Sequence, residues 1–184
     1  MSKAVILSVR PKWCEKIASG EKTIEVRKTK PNLDTPFKCC IYCTRDKHLA
    51  FMQNQTGTNL IACMDVDAAI PVGGAIGNGK IIGEFTCDRI YELAPLNHAP
   101  DDVEKQACLT REEIVKYLKG TGYGWHISGL KIYDTPKELS KFSRPFENCI
   151  NKVCDEFGCA SCENGGHIKR APQSWCYVEE MKDG

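Results

Sequence analysis

Long apolar runs are missing from this chain. No stretch of its 184 residues approaches the roughly 20 consecutive apolar residues of a membrane-spanning helix, so the sequence reads as that of a soluble protein. Charge of one sign is missing too. A formal net charge of +1 excludes the bulk basicity of a protein that coats nucleic acid, and only local charge can point to such a partner. No secretory leader is expected: the apolar run Ala4-Val5-Ile6-Leu7 is cut short by Ser8 and Arg10, well below the roughly 7–15 residues of a signal core. Internal repeats and low-complexity tracts are lacking as well.

What is present is cysteine, twelve in all, and a hydrophobic content of 42%, enough to bury one core. The chain is expected to form a single domain over residues 1–184. Without a leader the expected location is the reducing cytoplasm, where scattered thiols such as Cys14, Cys63, Cys87 and Cys108 act as small buried hydrophobes and clustered ones need a metal or redox role. Charge is unevenly spread. Residues 1–40 hold nine Lys/Arg against four Asp/Glu, and residues 61–115 hold four against ten. Two complementary surfaces or a basic face for phosphates would both produce this asymmetry.

Element signals are mostly those of strands. Ala4–Val9 reads as a short strand, Pro11–Ser19 as a helix with proline in its first turn, and Lys22–Lys28 as a strand with Ile24 and Val26 on one face and Thr23, Glu25 and Arg27 on the other. Phe37–Cys43 alternates as a further strand. Residues 44–78 give no clear element. Lys80–Tyr91 reads as a long strand with a bulge or bend at Gly83, and Thr110-Arg111-Glu112-Glu113 is a capping box opening a helix that stops at Gly120. Strand chemistry resumes over Gly122–Tyr133 and Ser174–Val178. The expectation is an α+β, mostly β fold: a partly closed barrel with two short flanking helices and a cysteine-rich insert near 145–169.

The segment Gly20-Glu21-Lys22-Thr23-Ile24-Glu25-Val26-Arg27 resembles the Gly-x-Lys-x-x-Glu-x-Arg signature of ASCH domains, a branch of the PUA-like β-barrels. The resemblance continues through Gly79–Phe85 and the Trp125 and Trp175 strands, and leaves residues 44–78 and 145–169 outside. It implies a polar cleft lined by Lys22, Glu25 and Arg27, with Glu84 nearby, that binds RNA or a modified nucleobase or nucleotide. Lys and Arg suit a phosphate or carboxylate, Glu accepts from an exocyclic amine, and Trp125 or Trp175 would offer a stacking face. Glu25 and Arg27, two apart on one strand face, are equally the pattern of a solvated ion pair.

One branch of the family resembles a bacterial amidohydrolase that acts on acetylated cytidine through a Lys, a Thr and a Glu. Lys22 and Glu84 match, but Glu25 stands where the nucleophilic hydroxyl belongs, and Thr23 belongs to another register. Catalysis by Lys22, Glu25 and Glu84 therefore requires the carboxylate to act as a general base on water. An endoribonuclease is a further alternative, without an identifiable proton-transfer pair.

The spacing Cys149-x4-Cys154-x4-Cys159-x2-Cys162 puts four thiols within fourteen residues, followed by His167 as an alternative ligand. Soft ligands this dense in a polar insert point to structural zinc, with redox disulfides or unmetallated thiols as alternatives. Cys39 and Cys43 share a strand face with Phe37 and Ile41, which favours packing. His48 and His98 fall in loops; His126, beside Trp125, has a weak claim to face the cleft.

Overall fold

The computed structural model describes residues 3–54, 61–65, 74–93, 99–145 and 166–179. Strand β1 (Lys3–Val9) leads into helix α1 (Pro11–Ala18), then β2 (Ile24–Arg27), β3 (Phe37–Cys43), β4 (Leu49–Asn54), β5 (Ile61–Asp65) and β6 (Gly74–Ile76). There follow β7 (Lys80–Cys87), β8 (Ile90–Glu92), α2 (Val103–Ala107), α3 (Arg111–Leu118), β9 (Tyr123–His126), β10 (Ser128–Glu138), a 3-10 turn at Leu139–Lys141, and β11 (Trp175–Glu179).

A five-stranded sheet in the order β10-β7-β3-β1-β11 forms the centre, flanked by the three-stranded sheets β2-β9-β8 and β5-β4-β6. β1 and β3 run parallel, joined by the α1–β2 crossover, and β11 pairs antiparallel with β1, Lys3 opposite Glu179 and Leu7 opposite Trp175. Alternation places Val5, Leu7, Val9, Cys39 and Ile41 on one face, where they pack with Phe85 and Trp125. Ala4, Ile6, Cys40 and Val178 project from the other face, which is closed by Leu139, Phe142 and Ile168. Completely buried Trp125 meets Phe37 edge-on at 5.8 Å between ring centroids, and each such ring removed from water contributes about 2–3 kcal/mol. A third core forms where Ile24 and Val26 turn away from the central sheet onto Val103, Ala107, Ile114 and Leu118.

The helix signals act as expected. Pro11 opens α1; at α3 the Glu113 amide donates to Thr110 Oγ (3.2 Å) and the Thr110 amide to Glu113 Oε2 (2.8 Å). A third short helix, α2, joins the two expected.

The expected barrel is corrected: among the described residues no sheet closes on itself. The long strands foreseen at Lys80–Tyr91 and Gly122–Tyr133 are each broken at a corner, Asp88-Arg89 and Ile127, so each feeds two sheets in place of one closed wall. The stretch left without elements holds β4–β6. Asn78 fixes it from a distance, its Oδ1 accepting from the Phe51 amide and its Nδ2 donating to the Leu49 carbonyl, both at 2.8 Å.

The proposed insert lies mostly outside the described residues, and Cys149, Cys154, Cys159 and Cys162 lie there entirely. Its feet are held together: the Ile168 amide donates to the Phe142 carbonyl at 2.8 Å, and His167 bridges to Ser143. No helix among the described residues is long and apolar enough to cross a membrane.

Candidate ligand-binding cleft

Lys22, Glu25 and Arg27 meet in one cleft of about 530 Å³, whose lining also includes Ser8, Arg10, Lys12, Trp13, Tyr117 and Gln173. The β2 alternation carries Glu25 and Arg27 there, and Lys22 enters from the segment just ahead of the strand. Glu25 lies opposite Trp125, and both project toward the central sheet, so the polar face of β2 is its inward face. The solvated pair is thereby excluded: Lys22, Glu25 and Arg27 are 2%, 6% and 7% exposed.

Arg27 Nη2 sits 2.9 Å from Glu25 Oε1 and donates to the Ser8 carbonyl at 2.6 Å. Lys22 Nζ donates to the Ala107 carbonyl at 2.6 Å, lies 3.4 Å from Glu25 Oε2, and stands 5.0 Å from the Trp13 ring centroid. Two cations thus flank one carboxylate, leaving a buried excess of one positive charge. Glu25 Oε2 and Arg27 Nε are buried without a hydrogen-bond partner. Buried unmet groups and an uncompensated charge are costly, and an occupant that presents a donor to the carboxylate and electron-rich atoms to the cations relieves both.

The remaining candidates do not line the cleft. Glu84 projects from the opposite face of the central sheet, where it lies opposite Cys40, accepts from Tyr133 Oη at 2.6 Å and has Lys38 Nζ at 3.7 Å. The cause is a register shift on β7: Ile41 pairs with Gly83 but Tyr42 with Ile81, so Ile82 is an extra residue and Glu84 falls on the same face as Ile81. Gly83 is required there, since a Cβ would come within 2.5 Å of the Lys131 carbonyl oxygen. Trp125 is sealed in the core, and Trp175 packs on Trp125 and Tyr177 while donating to Thr29 Oγ at 3.0 Å.

The aromatic groups that do line the cleft are Trp13 and Tyr117. Trp13 stands in a segment whose sequence signal is only that of a helix, and nothing local shows that α1 turns this ring toward Lys22. His126 is engaged with Asp88 at 2.6 Å, away from the cleft, and His48 is exposed. His98 lies outside the described residues. Cys39 and Cys43 are core residues; burial pushes the Cys39 thiol well above its usual range and lifts Cys87 to about 12. Among the described residues no three metal-ligating side chains converge.

The architecture is similar to ASCH structures from Zymomonas mobilis. One single-substitution variant aligns at a TM-score of 0.55 and 16% identity over 96% of this chain and 89% of that one. Another aligns at 0.50 and 18% identity over 75% and 77%. The sequence matches no protein-family model and no curated protein. The likeness shows that the chain has the ASCH fold.

Proposed function

With the ASCH fold as frame, we propose that this chain is a binding module whose cleft takes a base of RNA or a modified nucleobase or nucleotide. The observation that carries this reading is the buried Lys22–Glu25–Arg27 cluster in the cleft lining, with its surplus positive charge and two unmet polar atoms. A base edge places a hydrogen-bond donor beside an acceptor, which matches Glu25 Oε2 next to Lys22 Nζ. Arg10 and Lys12 at the mouth suit a phosphate, and Trp13 offers a π-face. The volume falls in the roughly 300–1,000 Å³ range of small-molecule sites.

Binding is favoured over hydrolysis because the Thr23 and Ser8 hydroxyls are committed to other partners. Thr23 Oγ contacts Gln106 at 3.3 Å, and Ser8 Oγ donates to the Pro172 carbonyl at 2.6 Å. The test is titration of fluorescein-labelled single-stranded RNA and nucleoside monophosphates against wild type and Arg27→Met. At least tenfold weaker binding by the variant is expected. Equal binding overturns the reading. Release of acetate from acetylated cytidine, or cleavage of the RNA, that is lost in Lys22→Met would make the chain an amidohydrolase or an endoribonuclease instead.

Two further elements of the reading rest on cysteine. The spacing of Cys149, Cys154, Cys159 and Cys162 supports one structural zinc held by four thiolates. About one zinc per chain in metal analysis, lost in Cys159→Ser/Cys162→Ser, is the expected result. Burial of Cys39, Cys43 and Cys87 in the apolar core, as small hydrophobes, supports a cytoplasmic location.

A further inference from the structure

Beyond Arg27 the chain leaves β2 as Lys28-Thr29-Lys30, three exposed residues at the edge of the cleft. Each lysine is laid against an aromatic ring: Lys28 Nζ is 5.4 Å from the centroid of Tyr117, and Lys30 Nζ is 5.1 Å from that of Tyr123. Thr29 is held by Trp175, which packs edge-on against Tyr177 at 5.3 Å. Tyr117 lines the cleft and is 44% exposed, so this rim is continuous with the cleft mouth. Among the described residues neither Lys28 nor Lys30 forms an ion pair, unlike Lys16, which pairs with Glu21 at 2.7 Å.

We infer that the rim Lys28–Lys30 with Tyr117 takes the nucleotides flanking a base held in the cleft, phosphates on the two ammonium groups and a base on the open part of the Tyr117 ring. This rests on the cleft reading and extends it from a single base to a strand. Interleaved cations and aromatic faces are what a single strand of nucleic acid uses, since its charge and its π-surfaces alternate along the chain. An acidic peptide would use the cations and leave the rings without a role. Lys12 Nζ over Trp13 at 4.2 Å, both in the cleft lining, repeats the arrangement and offers a strand a further cation and ring.

The experiment compares a fluorescein-labelled single-stranded RNA decamer with a labelled mononucleotide, across a salt series, for wild type, Lys28→Ala/Lys30→Ala, Lys28→Arg/Lys30→Arg and Arg27→Met. In the alanine double variant the ratio of decamer to mononucleotide affinity is expected to fall about tenfold. Its salt slope should drop by about 1.4, the loss of two phosphate contacts on a single strand, and the arginine variant should restore both. An unchanged ratio and slope overturn the inference, as does a wild type that binds the decamer no better than the mononucleotide; the cleft reading survives either result. Decamer binding that tolerates Arg27→Met but is lost with the rim lysines overturns the cleft reading and keeps the rim. Competition by poly-glutamate as effective as by unlabelled RNA of equal charge makes the rim a general polyanion surface and overturns its assignment to RNA.

Discussion

Glu25 and Glu84 are the same residue type, each on a strand and each beside a lysine, yet they occupy opposite situations. Glu25 sits between two buried cations, and its Oε2 still has no hydrogen bond. Glu84 lies on the outer side of the central sheet, its side chain 17% exposed, with Tyr133 donating to one oxygen and Lys38 near the other. The difference shows that charge and spacing do not make a site. Around Glu25 the fold removes water from a carboxylate and withholds a full set of partners, whereas at Glu84 it leaves some solvent access and places a partner near each oxygen.

The sharpest way to break this comparison is to delete the buried carboxylate. Glu25→Ala leaves Lys22 and Arg27 facing each other out of water, and urea denaturation should show a loss of about 3–5 kcal/mol. A loss below about 1 kcal/mol would mean that solvent reaches the cluster freely. Tyr133→Phe removes one hydrogen bond, and Glu84→Gln keeps an acceptor for Tyr133 but removes the charge near Lys38, at a site that water can partly reach, so about 1 kcal/mol is expected from each, with nucleotide titrations matching wild type. Impaired nucleotide binding in Glu84→Gln would put that carboxylate back in functional contact with the cleft.

A third carboxylate gives the smallest and cleanest measurement. Burial alone would raise Asp88, but its hydrogen bond with His126 and that ring's charge outweigh burial and hold the carboxyl below its ordinary value of 3.8. Because the folded value is the lower one, the stabilisation is fully present above the ordinary aspartate range and is lost as pH falls through the folded value. Carboxyl NMR titration should show Asp88 below its ordinary value in wild type and moved back toward it in His126→Asn.

Much of the local structure was legible. The β2 alternation assigns Ile24 and Val26 to one face and Glu25 and Arg27 to the other, and the capping box at Thr110 and the proline at Pro11 mark real helix starts. The sequence does not say which face of β2 looks inward, because both are buried and only the packing of α2 and α3 on the apolar one settles it. The position of Glu84 was illegible for a different reason. One extra residue before Gly83 inverts the parity of the strand, and strict alternation from Ile82 would have pointed Glu84 into the Trp125 core. Trp13 and the Asn78 clamp depend on contacts distant in sequence, which no periodicity encodes.

The pairing of β1 with β11 has a consequence for how the protein is made. The first described strand emerges from the ribosome long before its neighbour, so throughout synthesis the nascent chain carries an open, largely apolar edge at Lys3–Val9. The wall of the cleft is unfinished over the same interval, because Gln173 lines it and Ser174, whose Oγ is 3.5 Å from Arg27 Nη1, is made with the closing strand. Completion of the cleft wall and burial of that edge therefore arrive together, and a product truncated before Ser174 would be an unsealed sheet for chaperones to hold and proteases to clear.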